Sequence, residues 1–367
     1  MTQRLRVGVI GAGLIAQVMH LNYLRELDDR YETVAICDIS EDGARKCADQ
    51  YGIPNVYTDW RVMLESGLDA VLILTNGSHA DIAIAAANRG IHVFTEKPMC
   101  FSVDEGKSMI EAAATNGITL MVAYPKRFDP AYERLASELK TVRDLRLVRV
   151  TTFETPIGAY VDYYKLTKDV TPPPADILAA LRAESRATLA GAIGSNDDFL
   201  VKEYHEILLD SLIHEMNTLR SLLGEPTKLD YVTLRPTGVT AVLQFGDVPA
   251  VINWVELPGI TRYRQEFSFY GADRRLTLAF PSPFLRSAPT ILEDEGGETD
   301  SGRSWHSEEI SSYDEAFKRE LIHFHHCVVN KLEPLTTGLD GLRDVALCGA
   351  FIAGHVSGAA IEHPSNF

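Results

Sequence analysis

Short apolar runs alternate with helical patterns through the first 123 residues of the chain. This order is typical of βαβ units on a parallel sheet, whose strands are buried on both faces and rich in Val, Ile and Leu. The predicted strands are residues 6–10, 33–37, 70–74, 92–94 and 119–122. The predicted helices are residues 15–27, 42–51, 60–65, 80–89 and 103–116. The pattern therefore predicts an α/β domain with a parallel sheet over residues 1–123.

The pattern changes after Pro125. Residues 145–153 alternate charged and apolar side chains, so one face of this predicted strand is expected to contact water. Further strand-like runs follow without intervening helices, at residues 228–234, 238–245, 250–255, 265–271 and 275–280. We therefore predict an α+β domain on a largely antiparallel open sheet over residues 124–367. Three segments carry no assigned structure, namely residues 157–200, residues 282–312 and the tail after Glu362.

Acidic residues outnumber basic ones by 51 to 35, which gives the chain a formal charge of −16. Such a charge repels phosphate backbones and anionic lipid surfaces, so we expect no nucleic-acid partner and no membrane partner. The five cysteines are scattered and form no CxxC pair. This usage favours a reducing cytoplasm over a disulfide framework or a zinc knuckle.

A glycine-rich turn directly follows the first predicted strand. Gly11, Gly13 and Ala16 have the spacing GxGxxA and open a predicted helix. Gly11 permits a tight turn, Gly13 lets the backbone approach a pyrophosphate, and Ala16 lets the helix pack closely on the strand. The helix N-terminus, with Leu14 and Ile15, presents N–H groups to phosphates. The pattern predicts a Rossmann dinucleotide site and argues against the alternative that this N-terminal apolar run is a signal peptide.

Asp38 ends the second predicted strand, where a carboxylate can accept hydrogen bonds from the adenosine ribose hydroxyls. The same carboxylate would repel a 2′-phosphate. We therefore predict NAD as the cofactor, and Arg45 and Lys46 nearby leave NADP as the alternative. An ordinary acidic residue at the start of a turn is the structural alternative for Asp38.

Several motifs together carry a family resemblance. GVIGAGLIA at residues 8–16, GIHVFTEKP at residues 90–98 and the later pair Asp210 and His214 resemble the Gfo/Idh/MocA oxidoreductases, such as glucose-fructose oxidoreductase and inositol dehydrogenase. The resemblance covers nearly the whole chain and includes residues 76–80, 124–130 and 317–346. It implies hydride transfer between nicotinamide and a secondary alcohol or ketone of a sugar, cyclitol or related polyol. It also implies cofactor contacts from Asn76, His79, Glu96 and Lys97.

Lys97 stands just after a buried predicted strand and before Pro98. An ammonium at this position can bind a substrate hydroxyl and stabilise alkoxide character as the proton leaves. The resemblance implies that the family uses this lysine in that way. A solvated surface lysine is the structural alternative.

Asp210 and His214 are four residues apart, so on an α-helix both side chains project from one face. The resemblance identifies them with the family's catalytic pair. A neutral imidazole can take the alcohol proton, while Asp210 positions the substrate or orients the imidazole. The alternative is that His214 packs within an otherwise apolar helix.

Other side chains are weaker candidates. Tyr124 and Arg127 are predicted to contact the nicotinamide end or the substrate, and an interdomain salt bridge is the alternative for Arg127. Residues 204–209 are bulkier than the glycine-rich stretch common in the family, so Tyr204 and His205 either reach the substrate or pack. No metal is predicted, because the histidines of residues 320–326 match no metal-binding motif.

Two other functions stay open from the sequence. The same scaffold serves several chemistries, so reduction of a different acceptor such as an imine is the nearest enzymatic alternative. A non-catalytic NAD-binding sensor is the second, although it would have no need of Lys97, Asp210 and His214 together. An open antiparallel sheet commonly pairs subunits, so a homodimer or homotetramer is expected.

Overall fold

The computed structural model describes residues 3–167 and 171–367. The chain forms two compact units. Described residues of the first unit lie within Met1–Tyr124, Tyr164–Asp210 and Phe317–Val345. The second unit comprises Pro125–Tyr163, Ser211–Ala316 and Ala346–Phe367.

This division differs from the predicted pair of ranges, 1–123 and 124–367. The chain first passes from the first unit to the second after Tyr124, one residue from the predicted boundary. Two later segments then return to the first unit. The physical reason is that a parallel sheet needs cover on both faces. The later segment supplies part of this cover, since Phe324 packs edge to face on Phe94 and the Tyr31 hydroxyl donates to Leu321 O.

The strands of the first unit form one sheet. In chain order they are β1 (Leu5–Ile10), β2 (Tyr31–Cys37), β3 (Asn55–Tyr57), β4 (Ala70–Ile73), β5 (His92–Thr95) and β6 (Leu120–Val122). The sheet is parallel throughout, with the order β3-β2-β1-β4-β5-β6. The strand order reverses between β1 and β4, and dinucleotides bind at the carboxyl edge of such a reversal. The predicted Rossmann sheet is confirmed, with β3 as a strand that the sequence analysis missed.

The strands of the second unit also form one sheet. They are β7 (Leu147–Glu154), β8 (Lys228–Arg235), β9 (Gly238–Phe245), β10 (Val248–Glu256), β11 (Arg264–Tyr270), β12 (Arg274–Phe280), β13 (Ile291–Glu298), β14 (Arg303–Ile310) and β15 (Ile361–Glu362). Their order is β14-β13-β12-β11-β7-β10-β9-β8-β15. β7 and β10 pair in parallel and the other neighbours are antiparallel. The predicted, largely antiparallel sheet is confirmed.

Helices connect these strands. They are α1 (Leu21–Glu26), α2 (Glu41–Tyr51), α3 (Trp60–Met63), α4 (Ala80–Ala87), α5 (Val103–Asn116), α6 (Pro130–Leu139), α7 (Gly158–Val161), α8 (Ala175–Ile193), α9 (Asp198–Lys202), α10 (Ile213–Leu223), α11 (Ala316–Asn330) and α12 (Gly338–Ser357). π-helical stretches at Ala16–His20 and Glu203–Leu212 precede α1 and α10, and a 3-10 turn spans Pro125–Phe128. Within the described ranges, no helix is long and apolar enough to cross a membrane.

Local signals at both ends fix α2 beside β2. The Ser40 side chain accepts from Gly43 N and caps the first turn, which also carries Glu41 and Asp42. An acceptor at the cap and acidic side chains in the first turn both stabilise a helix N-terminus. Gly52, with φ of 71°, ends the helix in the left-handed conformation that glycine adopts without strain. The sequence thus places α2 and the loop before it at the carboxyl end of β2.

Glu315, in the second unit, carries a perturbed carboxyl group. Burial raises its pKa to about 7, against a hydrogen bond from the Ser287 backbone, and the negative charge of Asp129 raises it further. The folded state therefore binds more protons than the unfolded state between about pH 4.5 and pH 7, so stability falls as pH rises through this window. Glu315→Gln should remove the cost of ionising this buried carboxyl group and raise the free energy of unfolding by about 2 kcal/mol near pH 8.

Chemical denaturation at a series of pH values tests this prediction. The stability difference between Glu315→Gln and the parent protein should vanish near pH 4, which lies below both pKa values. Glu308→Gln on exposed β14 is the matched control and should change little at any pH. A stability difference that does not depend on pH would contradict the assignment.

Candidate active site

The glycine-rich turn joins β1 to the helix that follows it. Gly11 has φ of +99°, and a Cβ there would lie 2.7 Å from the carbonyl oxygen of Leu74. Only glycine fits such a position without strain. A Cβ at the exposed Gly13 would meet no protein atom within 4 Å, so its backbone is open to close approach by a phosphate. The turn therefore fits the pyrophosphate of a dinucleotide.

Leu14 and Ile15 are half-buried beside this turn, and the π-helical stretch begins at Ala16. Asp38 links the turn to the end of β2. Its Oδ2 accepts from Ala12 N and its Oδ1 accepts from Ser40 N, each at 2.8 Å. The carboxylate is thus fixed at the carboxyl end of β2, where a ribose binds in this fold.

Removing the charge of Asp38 should weaken the preference for an unmodified ribose. Asp38→Asn keeps the shape of the side chain but no longer repels a 2′-phosphate. We expect the ratio of the NADPH Kd to the NADH Kd to fall about tenfold in a fluorescence titration. Asp49→Asn, at an exposed position on α2, makes the same charge change and should leave the ratio unaltered. Equal ratios in the two variants would argue against Asp38 as the selective group.

Glu96, at the end of β5, is buried and paired with His20. The two side chains meet at 2.7 Å between Oε1 and Nε2, and Lys97 N donates to Glu96 Oε2 at 3.2 Å. Burial alone would raise the pKa of Glu96, but the hydrogen bond and charge of His20, together with the charge of Lys97, hold it below the usual value. The Glu96 carboxylate, held by His20, thus anchors the backbone N–H of Lys97. Cofactor contact by the Glu96 side chain stays a prediction.

His79 is buried and its two ring nitrogens face oxygen atoms of neighbouring residues. Nε2 lies 2.8 Å from Thr75 O, and Nδ1 lies 2.8 Å from Thr95 Oγ1. Burial lowers the pKa of His79, and a neutral ring would donate from Nε2 to Thr75 O and accept at Nδ1 from the Thr95 hydroxyl, with Glu96 O a further 3.0 Å neighbour of Nδ1. His79 thus braces the loop after β4 against the end of β5. Its predicted cofactor contact, like that of the exposed Asn76, stays a prediction.

Lys97 follows Glu96 and lies against Asp210 within the first unit. Its Nζ donates to Asp210 Oδ1 at 2.7 Å and to Asp210 O at 2.6 Å. The Lys97 side chain is 15% exposed, whereas that of Asp210 is 70% exposed. Partial desolvation by the surrounding protein raises the pKa of Asp210, but the charge and hydrogen bond of Lys97 lower it more, and the net pKa is below the usual value. The structure therefore brings together an ammonium and an accessible carboxylate, the two groups needed to bind a hydroxyl.

Asp210 lies in the π-helical stretch Glu203–Leu212, and π-helical turns are frequent at functional sites. His214 lies one turn later, in α10 of the second unit, and is half-buried. The side chains of Asp210 and His214 would share one face on a regular α-helix. Because the π-helical stretch changes the spacing of side chains, the shared face stays a prediction.

Two of the weaker site candidates follow β6 in the chain. Tyr124 is buried in the first unit, and Arg127 is half-buried in the 3-10 turn of the second. Tyr204 is buried and its hydroxyl donates to Phe101 O, so this side chain packs within the first unit. The half-buried His205 stacks edge to face on Phe101.

The histidines of α11 contact backbone and side-chain atoms of the first unit. His325 Nε2 lies 2.7 Å from Gln3 O, and Leu335 N donates to His323 Nε2. Asn330 Nδ2 lies 3.0 Å from His326 Nδ1. Across the parts of the chain that the structure describes, no three His, Cys, Asp or Glu side chains cluster closely enough to hold a metal ion.

A polar cluster in the second unit was missed from the sequence. The Trp254 indole N–H donates to Ser211 Oγ, which donates to Glu154 Oε2 at the end of β7. Burial and the charge of Glu215 raise the pKa of Glu154. Ser211 directly follows Asp210, so this cluster is connected through the backbone to a predicted catalytic residue. The strand alternation of residues 145–153 stopped one residue short of Glu154, and no local signal marked its partners.

Comparison with known proteins shows which proteins the chain is similar to. The GFO_IDH_MocA family model, described as an oxidoreductase family with an NAD-binding Rossmann fold, matches residues 5–124. scyllo-Inositol 2-dehydrogenase (NAD+) from Bacillus subtilis is 26% identical over 351 residues, which cover 93% of this chain and 91% of that protein. Residues 5–124 thus match the Gfo/Idh/MocA oxidoreductase family model, and the chain is similar to an inositol dehydrogenase over most of its length. These findings support the predicted resemblance to this family and the predicted NAD-binding fold.

Two further relatives show how the likeness is distributed over this chain. D-xylose 1-dehydrogenase (NADP+) 2 from Haloferax volcanii is 42% identical over 134 residues, which cover 35% of this chain and 41% of that protein. The structure of levoglucosan dehydrogenase in complex with NADH has a TM-score of 0.75 at 17% identity, covering 99% of this chain and 100% of that one. At this identity the structural likeness shows the fold, and the fold is shared over the whole chain.

Proposed function

We propose that this protein is an NAD-dependent dehydrogenase that oxidises a secondary alcohol of a sugar, cyclitol or related polyol, and reduces the matching ketone in reverse. The observation that carries the proposal is the Lys97 ammonium held 2.7 Å from an accessible Asp210 carboxylate. The likeness to scyllo-inositol 2-dehydrogenase over most of both chains supports the substrate class.

The first unit has the parts to hold NAD. The open backbone at Gly13 would take the pyrophosphate, and Asp38 would accept from the adenosine ribose. When bound, NAD supplies a nicotinamide ring that accepts or donates the hydride. Lys97 would donate a hydrogen bond to the reacting oxygen and stabilise negative charge on it. Asp210 keeps Lys97 in place and can accept from a neighbouring substrate hydroxyl.

His214 is the proposed acceptor of the alcohol proton. It follows Asp210 by four residues, and a neutral imidazole is the side chain best suited to this step near neutral pH. Lys97 lies beside a carboxylate and would act on the reacting oxygen through its charge. We therefore separate the roles, with His214 as the base and Lys97 as the group that stabilises the oxygen.

A substrate screen tests the function. Purified protein is mixed with NAD+ and a panel of inositols and sugars, and NADH formation is followed by absorbance. Turnover of at least one polyol, together with saturable NADH binding, is the expected result. NADH binding without turnover of any polyol would favour an imine reductase or a sensor, and absence of nucleotide binding would overturn the proposal.

We further propose that copies of the chain associate through the second sheet as a homodimer or homotetramer. β14, at one edge of this sheet, is mostly exposed and carries Trp305, whose side chain is 46% exposed. Exposed aromatic surface of this kind is commonly covered by a partner. Light scattering should give a multiple of the 40.6 kDa chain mass, and a monomer at every concentration would contradict the proposal.

We also propose that the protein works in the cytoplasm. All five cysteines are buried in the structure, and the set contains no disulfide. Thiols of this kind are stable in a reducing compartment. Fractionation of the native host, with the protein detected among cytoplasmic markers, is the direct check.

A further inference from the structure

A cavity of about 820 Å³ lies in the first unit at the carboxyl ends of β2 and β3. This volume is within the range of small-molecule sites. One wall comes from the loop after β2, beginning at Ile39, and another from the loop after β3, with Trp60. The third wall comes from residues 171–181, which the sequence analysis left unassigned.

The third wall belongs to a segment that rejoins the first unit, here called the return segment and defined as residues 164–167 and 171–193. Hydrogen bonds attach it to the rest of the first unit at two points. Thr167 N donates to Gln17 Oε1 at 2.6 Å, and the Gln17 amide in turn donates to Ala12 O of the glycine-rich turn. The return segment is thus linked through the Gln17 side chain to the predicted pyrophosphate site.

A second attachment lies at the loop after β2. Thr171 N donates to Asp42 Oδ2, and Ser40 Oγ donates to Thr171 O, both at 2.9 Å. Ser40 is the residue whose backbone N–H binds the Asp38 carboxylate. The wall is therefore fixed next to the carboxylate that is expected to bind the ribose.

The helix α8 of the return segment presents apolar side chains to this cavity. Ile177 and Leu181 are 45% and 42% exposed, although both line it. They are four residues apart and so lie on one face of the helix. Ile39, on the wall formed by the loop after β2, is 47% exposed. These three aliphatic side chains give the cavity apolar surface on which a flat aromatic ring can pack, beside charged lining residues that include Glu41, Asp42 and Arg45.

The position of the cavity identifies the ring. In a Rossmann sheet the dinucleotide crosses the carboxyl edge at the strand-order reversal, with the pyrophosphate at β1 and the ribose at the end of β2. The next group along the molecule is adenine, and it must lie beyond Asp38, where Ile39 and Trp60 line the cavity. Arg61 is stacked on Trp60 at 4.1 Å, which fixes the wall on the β3 side.

We propose that the return segment forms the outer wall of the adenosine subsite, with Ile177 and Leu181 packing against the adenine ring. The segment thereby raises the affinity for the whole dinucleotide and has no contact with the nicotinamide half. The inference rests on NAD as the cofactor of the proposed function and is independent of the identity of the substrate.

The experiment compares two ligands that each represent one half of the cofactor. ADP-ribose contains the adenosine half, and reduced nicotinamide mononucleotide contains the other. In Ile177→Asp/Leu181→Asp, the Kd values of NADH and ADP-ribose should rise about tenfold or more, because two charges replace the apolar wall. The Kd of the reduced mononucleotide should stay within about twofold. Leu181→Ala should give a smaller loss of about threefold in NADH affinity.

Ala183→Asp is the matched control, since it adds a charge at an exposed position of the same helix, away from the cavity face. It should leave all three affinities unchanged, and thermal melting should show that each variant folds. Unchanged ADP-ribose affinity in the double variant would overturn the proposal. So would a change in oligomeric mass without a change in ADP-ribose affinity, since a second copy would then cover α8. Failure of the polyol screen with normal NADH binding would count against the proposed function alone.

Discussion

Lys97→Ala should lower kcat for polyol oxidation by about a thousandfold, while the NADH Kd changes by less than about fivefold. The ammonium that stabilises charge on the reacting oxygen is lost, whereas the glycine-rich turn and Asp38 are untouched. Asp210 also loses the positive charge that lowers its pKa, so the pKa of this carboxyl group should rise. Steady-state kinetics with the best substrate of the screen, together with a fluorescence titration of NADH, gives both quantities.

Two further variants make this measurement specific. Lys107→Ala removes an exposed lysine from α5 of the same unit and should leave kcat unchanged within about twofold. Asp210→Asn keeps Lys97 but removes its charged partner, and it should raise KM as well as lower kcat, because Asp210 is expected to bind the substrate directly. If Lys97→Ala retained most of its activity, the assigned role of this lysine would be wrong.

Gly11→Ala should lower the stability of the protein, whereas Gly13→Ala should lower its affinity for NADH. At Gly11 the backbone has φ of +99° and the added Cβ would lie 2.7 Å from Leu74 O, so we expect a loss of about 3 kcal/mol in the free energy of unfolding. At Gly13 the added Cβ would meet no protein atom within 4 Å, so stability should change by less than about 0.5 kcal/mol. The same Cβ would stand where a pyrophosphate approaches, and the NADH Kd should rise about tenfold or more.

Urea denaturation and NADH titration of both variants separate the two roles. Gly67→Ala is a useful reference, because its φ is +75° and its added Cβ also meets no protein atom within 4 Å. It should show the cost of the backbone conformation alone, without the contact found at Gly11. If Gly13→Ala bound NADH as well as the parent protein does, the turn would not be the pyrophosphate site.

The fold was largely predictable where hydrophobic patterning was strong. β1, β2, β4 and β5 are buried on both faces, so their apolar runs were visible in the sequence. β13 and β14 were missed, because their side chains are mostly polar or exposed and leave no alternation to detect. Pairing with β12 makes β13 a strand, and such pairing depends on residues distant in the chain.

The candidate site was predictable only as a set of motifs. Gly11, Gly13, Asp38 and Lys97 were found because each follows a recognisable strand, and the carboxyl ends of parallel strands meet at one edge. The contact between Lys97 and Asp210 joins residues 113 positions apart, and no local pattern states it. The pairing of His20 with Glu96 and the bracing role of His79 were likewise invisible, because burial, and not residue type, decides them.

The sequence by itself determined the two kinds of sheet, the glycine-rich turn and the identity of the polar side chains, since these depend on periodicity and local backbone conformation. Only the tertiary structure decided that the return segment rejoins the first unit and walls the cavity at β2 and β3. The reason is physical. Periodicity records which face of an element is buried, whereas a segment such as α8, with only Leu189 and Ala190 buried, is placed by a few long-range hydrogen bonds that leave no pattern in the sequence.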